Sequence, residues 1–250
     1  MFAKIFGSEK NAPVDIDKDK LPKHVAVIMD GNGRWATSHG KPRLFGHKEG
    51  AESLRACMQF AVEMQIKYLS IFAFSTENWK RSVEEVTGLM TILRDFLRKS
   101  IDKANKNNMR VRIIGRRDRL DKDIIEAIDR LEEATKGNSG LQFIVALNYG
   151  GRDEITRAVQ KISKEVSDGV ILIEDITEDY ISQKLDTADI PDPDLLIRTS
   201  GEIRTSNFLP WQISYSEFYF CDTLWPDFGK EELSKAIDYY NGRDRRFGGV

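Results

Sequence analysis

HVAVIMDGNGRWA, residues 24–36, decides how this chain folds. His24 to Met29 form an apolar run of the length expected for a buried strand. The run ends at a carboxylate, Asp30, and Gly31, Asn32, Gly33, Arg34 and Trp35 follow directly. Pliable glycine amides suit an anion, whereas a carboxylate repels one. The ligand at this strand end must reconcile the two.

Working outward, the same grammar repeats. A helix pattern runs from about Lys48 to Met64. YLSIFAF (68–74) is a second strand, followed by a helix over Val83–Asn107 with Val86, Leu89, Met90, Leu93, Phe96 and Leu97 on one face, a 3.6-residue period. RVRIIG (110–115) leads to a helix over Asp121–Lys136, and LQFIVALN (141–148) to one over Arg152–Val166. DLLIR (194–198) and EFYFCD (217–222) read as strands, and Gly229–Asn241 as the last helix. Strand–helix alternation implies a single α/β domain, a mainly parallel central sheet with helices on both faces. Residues 1–20, polar and rich in Lys and Asp, read as a flexible N-terminal tail, and 21–250 as the folded domain.

Composition narrows the function. The formal net charge of −2 argues against a general nucleic-acid binder. No window reaches the ~18 apolar residues of a membrane span, and the N-terminus lacks a signal-peptide core. Two cysteines, Cys57 and Cys221, make neither a disulfide framework nor a Cys-rich metal site. The expected location is cytoplasmic.

In open α/β sheets ligands bind beyond the carboxyl ends of the strands. Here those ends carry Asp30–Arg34, Ser75-Thr76-Glu77-Asn78-Trp79, Gly115-Arg116, Asn148-Tyr149-Gly150-Gly151 and Arg198–Glu202. Gly31, Gly33 and Ala36 fit a dinucleotide fingerprint, but no acid closes the second strand where a ribose would need one. No P-loop motif occurs. A diphosphate would tolerate Asp30 if Mg²⁺ lay between them, since Mg²⁺ is commonly held by one or two carboxylates and substrate phosphates. Arg34, Arg43, Arg81, Arg198 and Arg204 lie in or near these loops, and the arginine fork matches phosphate oxygens. Their number suggests two diphosphates.

HVAVIMDGNGRWA, GHKEGA, FAFSTENWKR, NYGGRDEI, LIRTSGEIRTSNFLPWQISYSEFYF, LWPDF and RDRRFGG together resemble the cis-prenyltransferases, over roughly residues 22–250. The resemblance implies an α/β fold of the undecaprenyl diphosphate synthase type, not a Rossmann fold. It also implies a homodimer, Mg²⁺, and sequential cis addition of isopentenyl diphosphate to farnesyl diphosphate, giving undecaprenyl diphosphate for the lipid carrier of cell-wall synthesis. Release of such a product implies a peripheral contact with the inner face of the membrane. The chain has no D-D-x-x-D cluster of the trans-prenyltransferases.

By the same resemblance Asp30 steers Mg²⁺ and Glu217 is the second metal carboxylate. Gly31, Asn32, Gly33 and Arg34 form the diphosphate cradle; Arg43, His47 and Arg81 bind substrate, Trp35 and Trp79 line the site, and Ser75, Thr76 and Glu77 form the second substrate loop. Arg198, Arg204 and Ser206 hold isopentenyl diphosphate, with Thr205 also substrate-binding, and Asn78 is the family's proton acceptor, though an amide is a very weak base and the released diphosphate a better one. Ile203 stands where some relatives carry a histidine near the metal. The tail at 243–249 resembles a segment that reaches a partner's site. Leu54, Met58, Leu89, Leu93, Phe96, Leu141, Phe143 and Val145 are candidates to line a hydrocarbon tunnel. Strand alternation puts Leu69, Ile71 and Ala73 on one face and Ser70, Phe72 and Phe74 on the other. Ala73, small after larger neighbours, is expected to open the tunnel.

Overall fold

The computed structural model describes residues 16–243. Six strands form one sheet: β1 (His24–Ile28), β2 (Tyr68–Ser75), β3 (Arg110–Ile114), β4 (Gln142–Tyr149), β5 (Leu195–Arg198) and β6 (Glu217–Phe220). Their order is β3-β4-β2-β1-β5-β6 and all pairings are parallel. This is not the 3-2-1-4-5-6 order of a Rossmann fold. The chain builds outward from β1 through β2, then returns to add β5 on the other side. The switch between β1 and β5 brings Ile28 level with Arg198, so Asp30 and Arg198 meet at the crevice where such sheets bind ligands.

The helices are α1 (Asn32–Ser38), α2 (Arg43–Glu63), α3 (Val83–Lys106), α4 (Lys122–Thr135), α5 (Gly151–Ser167), α6 (Glu178–Ser182) and α7 (Lys230–Asn241). Alternation along β1 sends Val25 and Val27 to a large core with α2, α3, α4 and α7 residues, and Ala26 and Ile28 to a smaller one with Phe208, Leu209 and Ile213. α2 starts five residues earlier than the sequence pattern suggests. Gly46 and Gly50 look like breakers but permit close packing: a Cβ at Gly46 would lie 1.9 Å from the Asn32 carbonyl oxygen on α1. At the N-terminal boundary, Asn241 donates to the Asp17 carbonyl and Ile16 packs on the large core, so these two residues of the expected tail touch the folded domain. Residues 1–15 of the expected tail, and the tail motif beyond Arg243, lie outside the described residues.

Expected alternation fails in β2. Phe72 pairs with Ala146 and Phe74 with Leu147, a bulge. The extra residue turns Phe74 onto the face of Ile71, in the large core, away from Phe72. The outer edge of β3 is covered by its own helix: Val111 N–H donates to Thr135 Oγ1 (3.1 Å) and Ile113 N–H to Glu132 Oε1 (2.8 Å).

Candidate active site

Asp30 leaves β1 in a loop held from three sides. Its N–H donates to Thr199 Oγ1 (2.9 Å), and its carbonyl accepts from Trp225 N–H (3.0 Å) and from the Thr199 hydroxyl (2.6 Å). Gly31 follows with φ +102°, and a Cβ there would sit 2.9 Å from Leu224 Cδ2 and 3.0 Å from Ser200 Cβ, so only glycine fits. The carboxylate accepts from Gly31 N–H (2.7 Å) and Arg198 Nη2 (2.9 Å), with Arg34 Nη2 at 3.4 Å. Burial alone would raise the pKa of Asp30. The hydrogen bonds from Arg198 and Gly31 and the charges of Arg198 and Arg34 outweigh it and hold the carboxyl below its ordinary range. Asp30 is therefore ionised at neutral pH.

Arg198 is 4% exposed. Beyond Asp30 it donates to Ser206 Oγ (2.7 Å) and to the Arg204 carbonyl, yet its Nε is buried without a partner. An orphaned guanidinium N–H at a cavity edge is a donor awaiting an acceptor. Every other arginine assigned to phosphate is also engaged with a carboxylate. Arg34 and Arg204 share Glu202, while Arg43 (3.2 Å) and Arg81 (2.9 Å) share Glu85. Burial would raise the Glu85 pKa, but these two arginines hold it below the usual range. His47 lies 3.8 Å from Glu85, too far for a hydrogen bond, and its Nε2 is buried and unpartnered. Burial and the charge of Arg81 lower its pKa to about 4, so it is neutral.

These groups open onto one cavity of about 660 Å³. Asp30, Asn32, His47, Ser75, Glu77, Asn78, Arg81, Arg198 and Ser206 line its polar end, with Asn207 and Trp225, which sequence reasoning did not single out. Its other end is apolar, walled by Leu54, Ile71, Ala73, Phe74, Leu89, Met90, Leu93, Phe96, Val145 and Leu147 from the large-core side of the sheet, with Phe72 from the other face. Ala73 is in this wall, as expected. Of the tunnel candidates, Leu54, Leu89, Leu93, Phe96 and Val145 line the cavity; Met58, Leu141 and Phe143 do not and instead pack in the core. Leu141 and Phe143 sit early on the β4 side, remote from the strand ends that the cavity follows.

Several assigned residues stand apart from the cavity wall. Gly31 and Gly33 support it from behind; a Cβ on Gly33 would meet the Arg43 guanidinium at 2.7 Å. Arg34, Arg43 and Arg204 sit at its exposed rim, and Thr76 and Thr205 are in the adjoining loops. Trp35 points outward, donating to Asp227 and stacking on His39. Trp79 turns towards β4, donating to Asn148 Oδ1 (2.8 Å). Glu217 stands farthest from Asp30. It opens β6 level with Leu195 and hence with Val25, five residues before Asp30. At about 3.3 Å per residue it lies at the opposite end of the sheet, and its carboxylate accepts from Arg243 Nε (3.1 Å). It cannot share a metal with Asp30 of the same chain. Asn78 lines the cavity with its amide oxygen already engaged. Its Oδ1 accepts the Ser75 N–H (3.1 Å); a backbone N–H can only donate, so the amide presents NH₂ to the cavity. An NH₂ group cannot receive a proton. Glu85 carried a readable signal, since Ser82-x-x-Glu85 is a helix-start pattern and Glu85 N–H does donate to Ser82 Oγ.

Asp30 at a sheet switch point, arginines around it and an apolar chamber behind define an enzyme for an amphipathic anion, charged at one end and hydrocarbon at the other. A family model described as "Putative undecaprenyl diphosphate synthase" matches residues 28–248, and the chain belongs to this prenyltransferase family. It is 51% identical over 240 residues to an isoprenyl transferase of Streptococcus mutans, covering 94% of this chain and 96% of that protein. To the isoprenyl transferase of Agrobacterium fabrum it is 48% identical over 233 residues, covering 93% and 94%. Among solved structures it is similar to lavandulyl diphosphate synthase from Lavandula x intermedia in complex with dimethylallyl diphosphate (TM-score 0.88, 39% identity, 92% and 99% covered). It is also similar to "a probable undecaprenyl diphosphate synthase" from Campylobacter jejuni (TM-score 0.76, 37% identity, 91% and 98% covered).

Proposed function

We propose that this isoprenyl transferase adds isopentenyl diphosphate repeatedly to farnesyl diphosphate, with Mg²⁺, to make undecaprenyl diphosphate for the cell-wall lipid carrier. The observation that carries this reading is the bipolar cavity. Asp30 and the orphaned Arg198 Nε stand at one end, and an apolar chamber at the other. Such a site holds a diphosphate at its mouth and lets a hydrocarbon extend inward.

The residues present fit Mg²⁺. Asp30 is an ionised hard-oxygen donor, and among the described residues no cluster of three His, Cys, Asp or Glu can hold a metal, so substrate phosphates would complete the shell. Bound there, Mg²⁺ would supply Lewis-acid neutralisation of diphosphate charge. Arg198 and Arg34 would stabilise the negative charge that develops as the allylic C1–O bond breaks. The terminal carbon of isopentenyl diphosphate then bonds to C1, and its C2 proton leaves to form the new double bond. Asn78, presenting NH₂, donates to a diphosphate oxygen, and the departing diphosphate takes the proton. Holding both substrates along one wall contributes by proximity.

A homodimer belongs to the same reading. Tyr215 (79% exposed) and Phe218 (38%) are uncovered at the start of β6, the edge strand of the sheet. Glu217 would reach a metal at Asp30 only as the carboxylate of a second protomer. No helix among the described residues is long and apolar enough to cross a membrane; product delivery would then use a peripheral contact at the inner face of the membrane from the cytoplasmic side. The test is incubation with farnesyl diphosphate, labelled isopentenyl diphosphate and Mg²⁺, with products sized by chromatography. A ladder ending in a long polyprenyl diphosphate is expected. No condensation, or arrest after one addition, would overturn the reading. Chelation should stop the reaction and leave the protein folded.

A further inference from the structure

Asn148 sits in the NYGG stretch that no step above uses. It is 1% exposed and has φ +48°, a left-handed conformation uncommon outside glycine. It stands where the β2–β4 register slips a second time: Phe74 pairs with Leu147 and Ser75 with Tyr149, so Asn148 is passed over. The slip aims its side chain at two loops. Its Nδ2 donates to the Arg116 carbonyl (3.1 Å), and its Oδ1 accepts the indole N–H of Trp79 (2.8 Å). Trp79 is held on its other sides as well. Its ring lies edge-on to Phe74, with centroids 5.0 Å apart, and the Arg119 guanidinium covers it at 4.6 Å. Those contacts tolerate rotation of the indole in its plane; the hydrogen bond from Nε1 does not.

Trp79 is the neighbour of Asn78 in the single turn Thr76–Lys80, between β2 and α3. That turn has few ties to the rest of the molecule. Asn207 Nδ2 donates to Glu77 (3.1 Å), and Trp79 supplies the bond to β4. Asn78 is tied within the same turn, its Oδ1 accepting the Ser75 N–H (3.1 Å), so the indole acts on the amide by holding the turn as a unit.

We propose that Asn148 is a positioning residue for prenyl transfer: through the Trp79 indole it fixes the turn that points the Asn78 NH₂ at the substrate diphosphate. This rests on the proposed function, because it assigns the Asn78 amide a diphosphate to meet. The strained backbone is kept for this purpose, since a glycine would satisfy φ at no cost but would release the indole.

Two variants cut the same bond from opposite ends. Asn148→Gly keeps the backbone conformation and removes the acceptor. Trp79→Phe keeps the ring against Phe74 and Arg119 and removes the donor. Steady-state kinetics with farnesyl and isopentenyl diphosphates should show each single variant losing about tenfold in kcat, with KM for either substrate within about twofold. The double variant should also lose about tenfold, not a hundredfold, because one bond is cut twice. Indole N–H resonances of ¹⁵N-labelled protein give an independent reading. The signal absent in Trp79→Phe should shift upfield in Asn148→Gly, while the other three tryptophans stay in place. A merely structural role would lower the melting temperature and leave kcat of the folded protein unchanged, and that result would overturn the proposal. So would multiplicative losses in the double variant. If Asn148→Gly does not fold, Trp79→Phe alone decides, and wild-type kcat there overturns it. An inactive wild-type chain would instead sink the proposed function, a distinguishable failure.

Discussion

The two ends of the cavity solve opposite problems. At the polar end charge is prepared in advance: Asp30 is clamped by Arg198, Glu202 holds Arg34 and Arg204, and Glu85 holds Arg43 and Arg81. Arg198 is buried, and a buried cation without a partner is costly, so Asp30 occupies it; the exposed arginines are held in place by Glu202 and Glu85, and a diphosphate bound there would exchange one anion for another. At the apolar end nothing specific is held, and shape alone acts. Binding and chemistry should therefore depend on individual atoms at the first end, and product length on bulk at the second.

The largest effect expected from breaking that division is at Asp30. Asp30→Ala should cut kcat at least 10³-fold, about 4 kcal/mol of barrier, while farnesyl diphosphate binding, followed by fluorescence titration, is kept or tightened. The reason is that a negative charge beside Arg198 is lost. A variant with a tenth of wild-type turnover would mean that the carboxylate is not part of the chemistry. Next is Asn78→Asp, which retains an acceptor for the Ser75 N–H and replaces the cavity-facing NH₂ with an oxygen. A loss of about 10²-fold in kcat is expected, since two anions would face each other. If position 78 took the proton, the stronger base would equal or exceed wild type.

Acid should act through histidines and leave the apolar end untouched. His24, buried at the foot of β1, donates from Nδ1 to the Pro191 carbonyl and accepts at Nε2 from Ser70. Burial lowers its pKa to about 4, as it does for His47. The unfolded chain binds these protons near 6.5, so the native state is fully favoured above that pH and loses stability as pH falls towards 4. For His24 alone the loss between pH 7 and 5 should be about 2 kcal/mol, read from urea unfolding, and His24→Gln should flatten the dependence. The smallest effect on rate is expected at Ala73. Ala73→Leu should leave the first condensations within about twofold of wild type and release shorter products. An unchanged product ladder in the active variant would place the growing chain elsewhere.

The strands, the parallel sheet and the Asp30 loop were legible because burial writes itself as apolar runs and because strand ends in α/β sheets are binding positions by topology. The start of α2 was not, because Gly46 signals a break locally and a helix contact only when α1 is beside it. The face of Phe74 depends on a bulge set by its pairing with β4, which alternation cannot register. Glu217 shows the same limit: the resemblance groups it with Asp30, and only strand register shows it at the opposite end of the sheet. Trp79 read as a site residue, yet its indole turns to Asn148 on β4, a contact that no local pattern reveals.

The covered margin of β3 has a consequence for assembly. Sheets are templates, and an uncovered strand invites another backbone to continue the ladder. With the Val111 and Ile113 N–H groups already committed to Thr135 and Glu132, that side offers an incoming strand no donors at these positions. Growth by strand addition is blocked there, so the sheet cannot be continued from its β3 margin at these positions.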